Sequence, residues 1–265
     1  SSGKVGVAMA TSGPGAANMV TGLATAMMDS IPIVCITGQV PRPAIGSDAF
    51  QEMDISGAVI PVTKHSYLVM EIENLARTIK EAFAIARSGR PGPVLVDIPK
   101  DLQAEEFDFI YPEEPILLPG ANLVTSDIDS NSLEQAASLI AESKRPVILA
   151  GHGILLSGAS SEVIELSEKG NIPLSWTLLG SGAVPASHHL NMGMMGMHGE
   201  FAANNAIQKA DLLIACGMRF DDRVTGNTKT YSLESKKIHI EIDPSEINKN
   251  VPVDVALVGD LKLIL

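Results

Sequence analysis

The sequence predicts an α/β fold built on mainly parallel sheet, and three observations carry that expectation. Short apolar runs that read as strands alternate with segments of helical periodicity along nearly the whole chain. The strand-like runs end in small, polar or acidic residues, which is where open parallel sheets receive ligands. One stretch without periodicity, residues 101–128, divides the pattern into two such units.

Residues 5–10 (VGVAMA) read as a short buried strand, Thr11 to Gly15 as a turn, and Ala16 to Met28 as a helix rich in Ala and Met. A glycine turn between strand and helix lets the chain approach a ligand closely and leaves backbone N–H groups free at the helix start. IPIVCIT, residues 31–37, is a second strand and runs on into a polar TGQ. Residues 71–88 give the clearest amphipathic helix: Ile72, Leu75, Ala76, Ile79, Phe83 and Ala86 recur at helical spacing and Gly89 follows the end. GPVLVDIP, residues 92–99, is the next strand. The stretch 101–128 holds three prolines and several acids and reads as an interdomain linker. Beyond it, helix 131–143 leads to strand RPVILA, a GHG turn, helix 160–169 and strand IPLSW. DLLIACG, KKIHIEID and DVALVGD are three further strands. The GHG turn is no dinucleotide fingerprint, because Leu156 occupies the third glycine position of GxGxxG. The expected organisation is therefore a domain over 1–100, a linker over 101–128 and a second domain over 129–265.

Composition narrows the function classes. With 265 residues, 45% hydrophobic and 19% charged, the chain can bury one large core or two modest ones. A net charge of −12 argues against nucleic acid or an anionic membrane surface as the main partner. No apolar run reaches the ~18–20 residues that a membrane span needs. Cys35 and Cys216 stand far apart within apolar runs, without metal-ligand spacing, and read as buried free thiols in a reducing cytoplasm. His188 and His189 likewise lack ligand spacing. The opening SSGKVGV, without an initiator Met, and the apolar ending GDLKLIL read as the ends of a piece of something longer.

Six strings carry a family resemblance: TSGPGAANMVTGLATAMMDSIPIVCITGQVPRPAIGSDAFQEMDI, TKHSYLV, SGRPGPVLVDIPKD, GMHG, RFDDRVTG and IHIEIDPSEINKN. Together they resemble the catalytic subunit of the acetolactate (acetohydroxyacid) synthases, thiamine diphosphate enzymes, over essentially the whole chain. DAFQE followed by TKH, and FDDRVTG, are the specific strings; the GPG turn and GRPGPV are shared with other thiamine diphosphate enzymes. The resemblance implies the end of a pyrimidine-binding domain followed by a central open parallel-sheet domain that binds FAD. It also implies that the glutamate activating the thiamine aminopyrimidine lies upstream of Ser1, and that the motif holding Mg²⁺ and the pyrophosphate lies beyond Leu265.

By the same resemblance, the reaction is decarboxylation of pyruvate and ligation of the two-carbon unit to a second ketoacid, pyruvate or 2-ketobutyrate. Phe50 and Gln51 would line the chamber, Lys100 would guard its entrance, and Met197 and His198 would contribute from GMHG. Arg223 would grip the incoming ketoacid, a task suited to its planar fork. Without the family, Phe50 would read as a core aromatic, Lys100 as a solvated charge and Met197 as an ordinary loop residue. The GPG turn, with Asn18, would shape the pyrimidine-side pocket. The FAD positions implied are Arg90, Gly151, His152, Gly153, Thr177, Leu178, Met195, Gly196, Met197, His198, Gly217, Arg219, Asp222, Arg223, Glu241, Ile242, Gly259 and Asp260. His152 stands where relatives often carry Gly, and Glu241 where many carry Asp. Asp221 and Asp222 are expected to place Arg223 and the flavin, not to bind metal. A catalytic homodimer or tetramer, a small regulatory subunit, and a location in the cytoplasm, or the plastid of a plant, complete the implied picture. Pyruvate oxidase, glyoxylate carboligase and a non-enzymatic nucleotide-binding module are the alternatives.

Overall fold

The computed structural model describes residues 3–116 and 128–265, and the chain divides into two compact units, Ser1–Asn122 and Leu123–Leu265. Both are α/β units on parallel sheets.

In the first unit, β1 (Gly6–Ala10) leads through the glycine turn to α1 (Pro14–Ala17) and α2 (Met19–Asp29), then to β2 (Ile33–Gln39). The expected single helix is two pieces meeting at Asn18, and it starts earlier than expected because Pro14 occupies its first turn, where a missing N–H costs nothing. A loop follows β2 up to α3 (Ile55–Ala58), β3 (His65–Leu68), α4 (Ile72–Arg87), β4 (Pro93–Pro99) and α5 (Lys100–Gln103). The strand order is β1-β2-β4-β3, with every neighbour parallel. All seven residues of β4 are buried, as expected of a strand covered on both faces. On α4, Ile72, Ala82 and Ala86 are buried, and Leu75, Ile79 and Phe83 pack beside them against β4. The boundary between the two units, Asn122/Leu123, falls within the expected linker 101–128, though its first residues are structured. Residues 101–103 continue α5, and Lys80 Nζ of α4 donates to Glu114 O at 2.8 Å and sits 5.4 Å from the Tyr111 ring, so this part of the chain lies back on α4. Residues 117–127 of that stretch lie outside the described residues.

The second unit runs α6 (Ser130–Glu142), β5 (Pro146–Ala150), α7 (His152–Ser157), α8 (Ser160–Gly170), β6 (Leu174–Trp176), β7 (Asn191–Met194), α9 (Phe201–Lys209), β8 (Leu212–Cys216), α10 (Asp222–Thr225), β9 (Lys236–Glu241), β10 (Val255–Val258) and α11 (Leu261–Ile264). Its sheet order is β10-β9-β8-β5-β6-β7, again parallel throughout. β8 is buried along its whole length, and one core forms on each face of the sheet around Ile148 and Leu149 of β5. The GHG turn is corrected to a helix start, because His152 is the first residue of α7. Cys35 and Cys216 are buried free thiols, and burial pushes them up to about 11 and about 12 respectively. Among the described residues no helix is long and apolar enough to cross a membrane.

Candidate functional site

In both units the chemistry-bearing residues collect at the carboxyl ends of the strands. In the first unit a pocket of about 430 Å³ opens there, lined by Met9, Ser12, Gln39, Lys100 and Gln103 among others. Lys100 is exposed at the head of α5. Its neighbour Asp101 accepts from Arg42 Nε at 2.7 Å and from Arg42 N at 2.9 Å, which holds the Asp101 carboxyl below the usual carboxylate range. Arg42 also donates to Met70 O and Glu105, so the chain leaving β2 is fixed to the helix that carries Lys100.

The loop after β2 carries Phe50 and Gln51. Phe50 is 90% exposed, so the core-aromatic alternative is excluded. Gln51 is exposed and has a left-handed backbone, φ 64°. The glycine turn after β1 packs against it: a Cβ on Gly13, whose φ is 61°, would lie 2.8 Å from Gln51 O. Gly-Pro-Gly therefore seats the Gln51 backbone, a reason for the glycine that the local sequence could not reveal. Glu52 staples the same loop by accepting from Ala49 N at 2.9 Å and from Gly46 N. These backbone donors, Gly46 first and then Ala49, lower its pKa.

In the second unit, the residues expected to hold FAD form a row along one edge of the sheet. Gly259 follows β10, Glu241 ends β9 and Gly217 follows β8; Gly151 to Gly153 follow β5, Thr177 follows β6, and Met195 to His198 follow β7. Backbone bonds tie neighbours in this row: Gly259 N to Glu241 O, Gly217 N to Ile240 O, Gly153 N to Gly217 O and Thr177 N to Ala150 O, all 2.9–3.0 Å. Gly151 and Gly153 are close-approach glycines. A Cβ on Gly151 would lie 2.2 Å from Gly217 O, and one on Gly153 2.7 Å from Gly217 Cα. Glu241 is buried, and its Oε1 accepts from Ile242 N at 3.0 Å. Leu178 is 74% exposed on the same edge, His152 is half-buried, and Asp260 caps α11. Those amides are engaged within the row; what faces outward is the exposed Leu178, with the half-buried His152 and Asp260, an edge open to an extended ligand at the strand ends where parallel sheets receive one. Arg90 belongs to the first unit, where its Nε donates to Ser30 Oγ at 2.8 Å.

The GMHG and RFDDRVTG strings meet in space. Met197 N donates to Arg223 O at 2.8 Å, and a Cβ on Gly196 would lie 2.5 Å from that same oxygen. Arg223 Nη1 is 3.4 Å from Met197 Sδ, and its Nε is 3.7 Å from Asp222, yet its side chain stays 69% exposed. Asp221 accepts from Arg223 N and Val224 N at 3.0 and 3.1 Å, and its carboxylate lies 3.9 Å from Arg219. The acid pair therefore contacts the arginines, and no group of three His, Cys, Asp or Glu among the described residues could hold a metal. His188 pairs with Glu168 at 3.2 Å and stacks beside His189.

Sequence reasoning missed Asn204. Its side chain donates to Gly196 O and accepts from Gly196 N, both at 2.9 Å, clamping the GMHG loop from α9. FAANNAIQK has a poor helical signature, so only its burial of Ala203 and Ile207 against the sheet reveals it.

Comparison with known proteins supplies the lineage. Residues 133–265 match the family model of the thiamine pyrophosphate enzyme central domain, and residues 1–58 that of the thiamine pyrophosphate enzyme N-terminal TPP binding domain. The chain is 51% identical over 266 residues to a probable acetolactate synthase large subunit of Methanocaldococcus jannaschii, covering 100% of this chain and 45% of the relative. It is 49% identical over 268 residues to an acetolactate synthase of Arthrospira platensis, covering 100% and 46%, and 51% identical over 263 residues to one of Mycobacterium leprae, covering 99% and 42%. The chain thus spans less than half the length of these relatives. With both family models matched in order on two parallel α/β units, this chain belongs to the thiamine pyrophosphate enzyme family.

Proposed function

We propose that these residues supply the pyrimidine-side and central parts of an acetolactate synthase, a transferase of branched-chain amino acid biosynthesis. The observation that carries this reading is the identity of about half of all positions, along the entire chain, with proteins named acetolactate synthase. Thiamine diphosphate, when bound, supplies the acyl-anion chemistry that releases CO₂ from pyruvate and joins the remaining two carbons to a second ketoacid. Every other task falls to side chains. Phe50 offers an apolar wall that keeps water from the reacting carbon, and Gln51 offers an amide to the substrate oxygens. Arg223, exposed and anchored by its backbone, is free to meet the second carboxylate with two parallel hydrogen bonds. Lys100 draws anionic ketoacids toward the pocket, and Met197 and His198 border the place where Arg223 works.

FAD would be held along the strand-end row from Gly151 to Asp260, with Glu241 as the acid nearest a ribose; Arg90 is carried as an FAD contact by the resemblance alone. Joining two ketoacids is redox-neutral, so its contribution is to shape. Mg²⁺ and the activating glutamate belong, by the resemblance, to residues outside these 265, so the isolated chain is expected to form no acetolactate. Assembly into a homodimer or tetramer, a small regulatory subunit and a cytoplasmic location complete the proposal. The test is product analysis of a full-length enzyme carrying this chain and supplied with pyruvate, thiamine diphosphate, Mg²⁺ and FAD. Acetolactate is expected; with dissolved oxygen and inorganic phosphate also present, hydrogen peroxide and acetyl phosphate in its place would assign an oxidase.

A further inference from the structure

The loop between β2 and α3 has an unusual backbone to maintain. Asp48 and Gln51 both sit at positive φ, 58° and 64°, conformations that side chains adopt only when neighbours enforce them. Beneath this loop lies a buried polar chain. Thr37, Gln39 and Asp97 are 1%, 6% and 1% exposed, and the strand register sets Thr37 directly opposite Asp97. Asp97 Oδ1 accepts from Thr37 Oγ1 at 2.7 Å, and Oδ2 accepts from Gln39 Nε2 at 2.9 Å. Gln39 Nε2 gives its other hydrogen to Met53 O at 2.7 Å, while Oε1 accepts from Val40 N at 2.9 Å.

We propose that Asp97 is a positioning residue for the loop carrying Phe50 and Gln51, acting through Gln39 on Met53. An amide side chain can enter a slot either way round, and its neighbours decide which end faces which partner. Asp97 accepts on both of its oxygens, from Thr37 Oγ1 and from Gln39 Nε2, while burial raises its carboxyl to about 6. It therefore selects the amide nitrogen of Gln39, and that nitrogen's second hydrogen has Met53 O as its target. Reversing the amide would set Oε1 against Met53 O and the NH₂ against Val40 N–H, two repulsions in a dry site. Met53 is two residues from Gln51, whose other side rests on Gly13. Asp97 thus reaches the chamber loop without touching it.

The catalytic consequence rests on the reading of Gln51 given under Proposed function; the loop order does not. The experiment compares unmodified full-length enzyme carrying this chain with Asp97→Leu and with the double variant Gln39→Met and Asp97→Leu. Replacing both polar partners by apolar groups of similar shape restores much of the folding stability that the single change loses, but it cannot restore the tie to Met53. In the double variant, hydrogen exchange at amides 47–52 is expected to quicken by about ten-fold, chymotryptic cleavage after Phe50 to quicken with it, and kcat for acetolactate to fall about ten-fold or more. Exchange at 47–52 that quickens in the double variant but not in folded Asp97→Leu would assign the tie to Gln39 alone and overturns the proposal, as does exchange unchanged in both, or quickened exchange with kcat unchanged. Unmodified enzyme that forms no acetolactate would instead sink the functional reading, and the exchange comparison would still decide the tie.

Discussion

Arg223 and Asp97 show how differently two charged residues can serve a neighbouring function. Arg223 keeps its side chain 69% exposed while Asp221 and Met197 fix its backbone, which leaves the guanidinium fork available to a carboxylate. Arg223→Lys replaces that fork by a point charge, and losing one charge-assisted hydrogen bond of about 1.5–3 kcal/mol should raise the KM for the second ketoacid by about ten-fold or more. Steady-state kinetics of a full-length enzyme with 2-ketobutyrate as the varied acceptor checks it, and an unchanged KM counts against the grip. Asp97 is the opposite case, a carboxyl taken out of water. Its folded pKa of about 6 lies above the ordinary 3.8, so the folded state binds the proton more tightly. Its contribution to stability is full below the unfolded pKa and is lost as pH rises through about 6. Asp97→Asn removes this titration. Relative to unmodified protein, its unfolding free energy should rise between about pH 4 and pH 6, by up to roughly 3 kcal/mol if the whole shift is expressed. Urea midpoints at pH 4.5 and 7 read that difference, and a constant offset would refute it.

The elements were legible where periodicity and burial agree. α4 was readable because one face of eighteen residues repeats on the helical period, and β2, β4, β5, β8 and β9 because each is an apolar run bounded by turn residues. β3 and β7 escaped because HSYL and NMGM are short edge strands whose order comes from pairing with β4 and β6, not from their own composition. The TKH string, readable only as a family signature, has a plain structural role. Lys64 Nζ donates to Ile85 O at 2.6 Å and to Ser88 Oγ at 3.1 Å, closing the carboxyl end of α4. Its stem passes over Gly92, where a Cβ would meet Lys64 Cγ at 3.0 Å. The first glycine of GPVLVDIP and the lysine of TKH are thus one device. Lys64→Met keeps the stem and removes the donor, leaving helix-end carbonyls to find other partners, and should cost about 1–2 kcal/mol by denaturant unfolding. An unchanged midpoint would show that water replaces the ammonium without loss.

At the scale of the whole molecule, two parallel sheets present their working residues at strand ends, and the sequence disclosed this through the small and acidic residues closing each apolar run. It did not disclose that Gly196 meets Arg223, or Gly151 and Gly153 meet Gly217, because such approaches join strands distant in sequence. That same edge bears on the role proposed for a flavin. The reaction proposed moves no electrons from substrate to cofactor, yet the row of candidate contacts takes in the ends of all six strands of the second sheet and ends at the loop pairing Met197 with Arg223. A ligand lying on that row binds the folded state alone, and at a concentration one hundred times its Kd it would add about 2.7 kcal/mol of stability. On the proposed reading the same binding would hold the Met197 loop and α10 in register, so losing it should loosen the grip on the second ketoacid. A full-length enzyme rebuilt with a flavin analogue of the same shape but unable to cycle between redox states should therefore keep most of its acetolactate formation and its melting temperature. Flavin-free enzyme should lose both, with KM for the acceptor ketoacid rising before kcat falls. Restored melting temperature without restored activity would give the flavin a chemical part that neither the redox balance of the reaction nor the strand-end row requires.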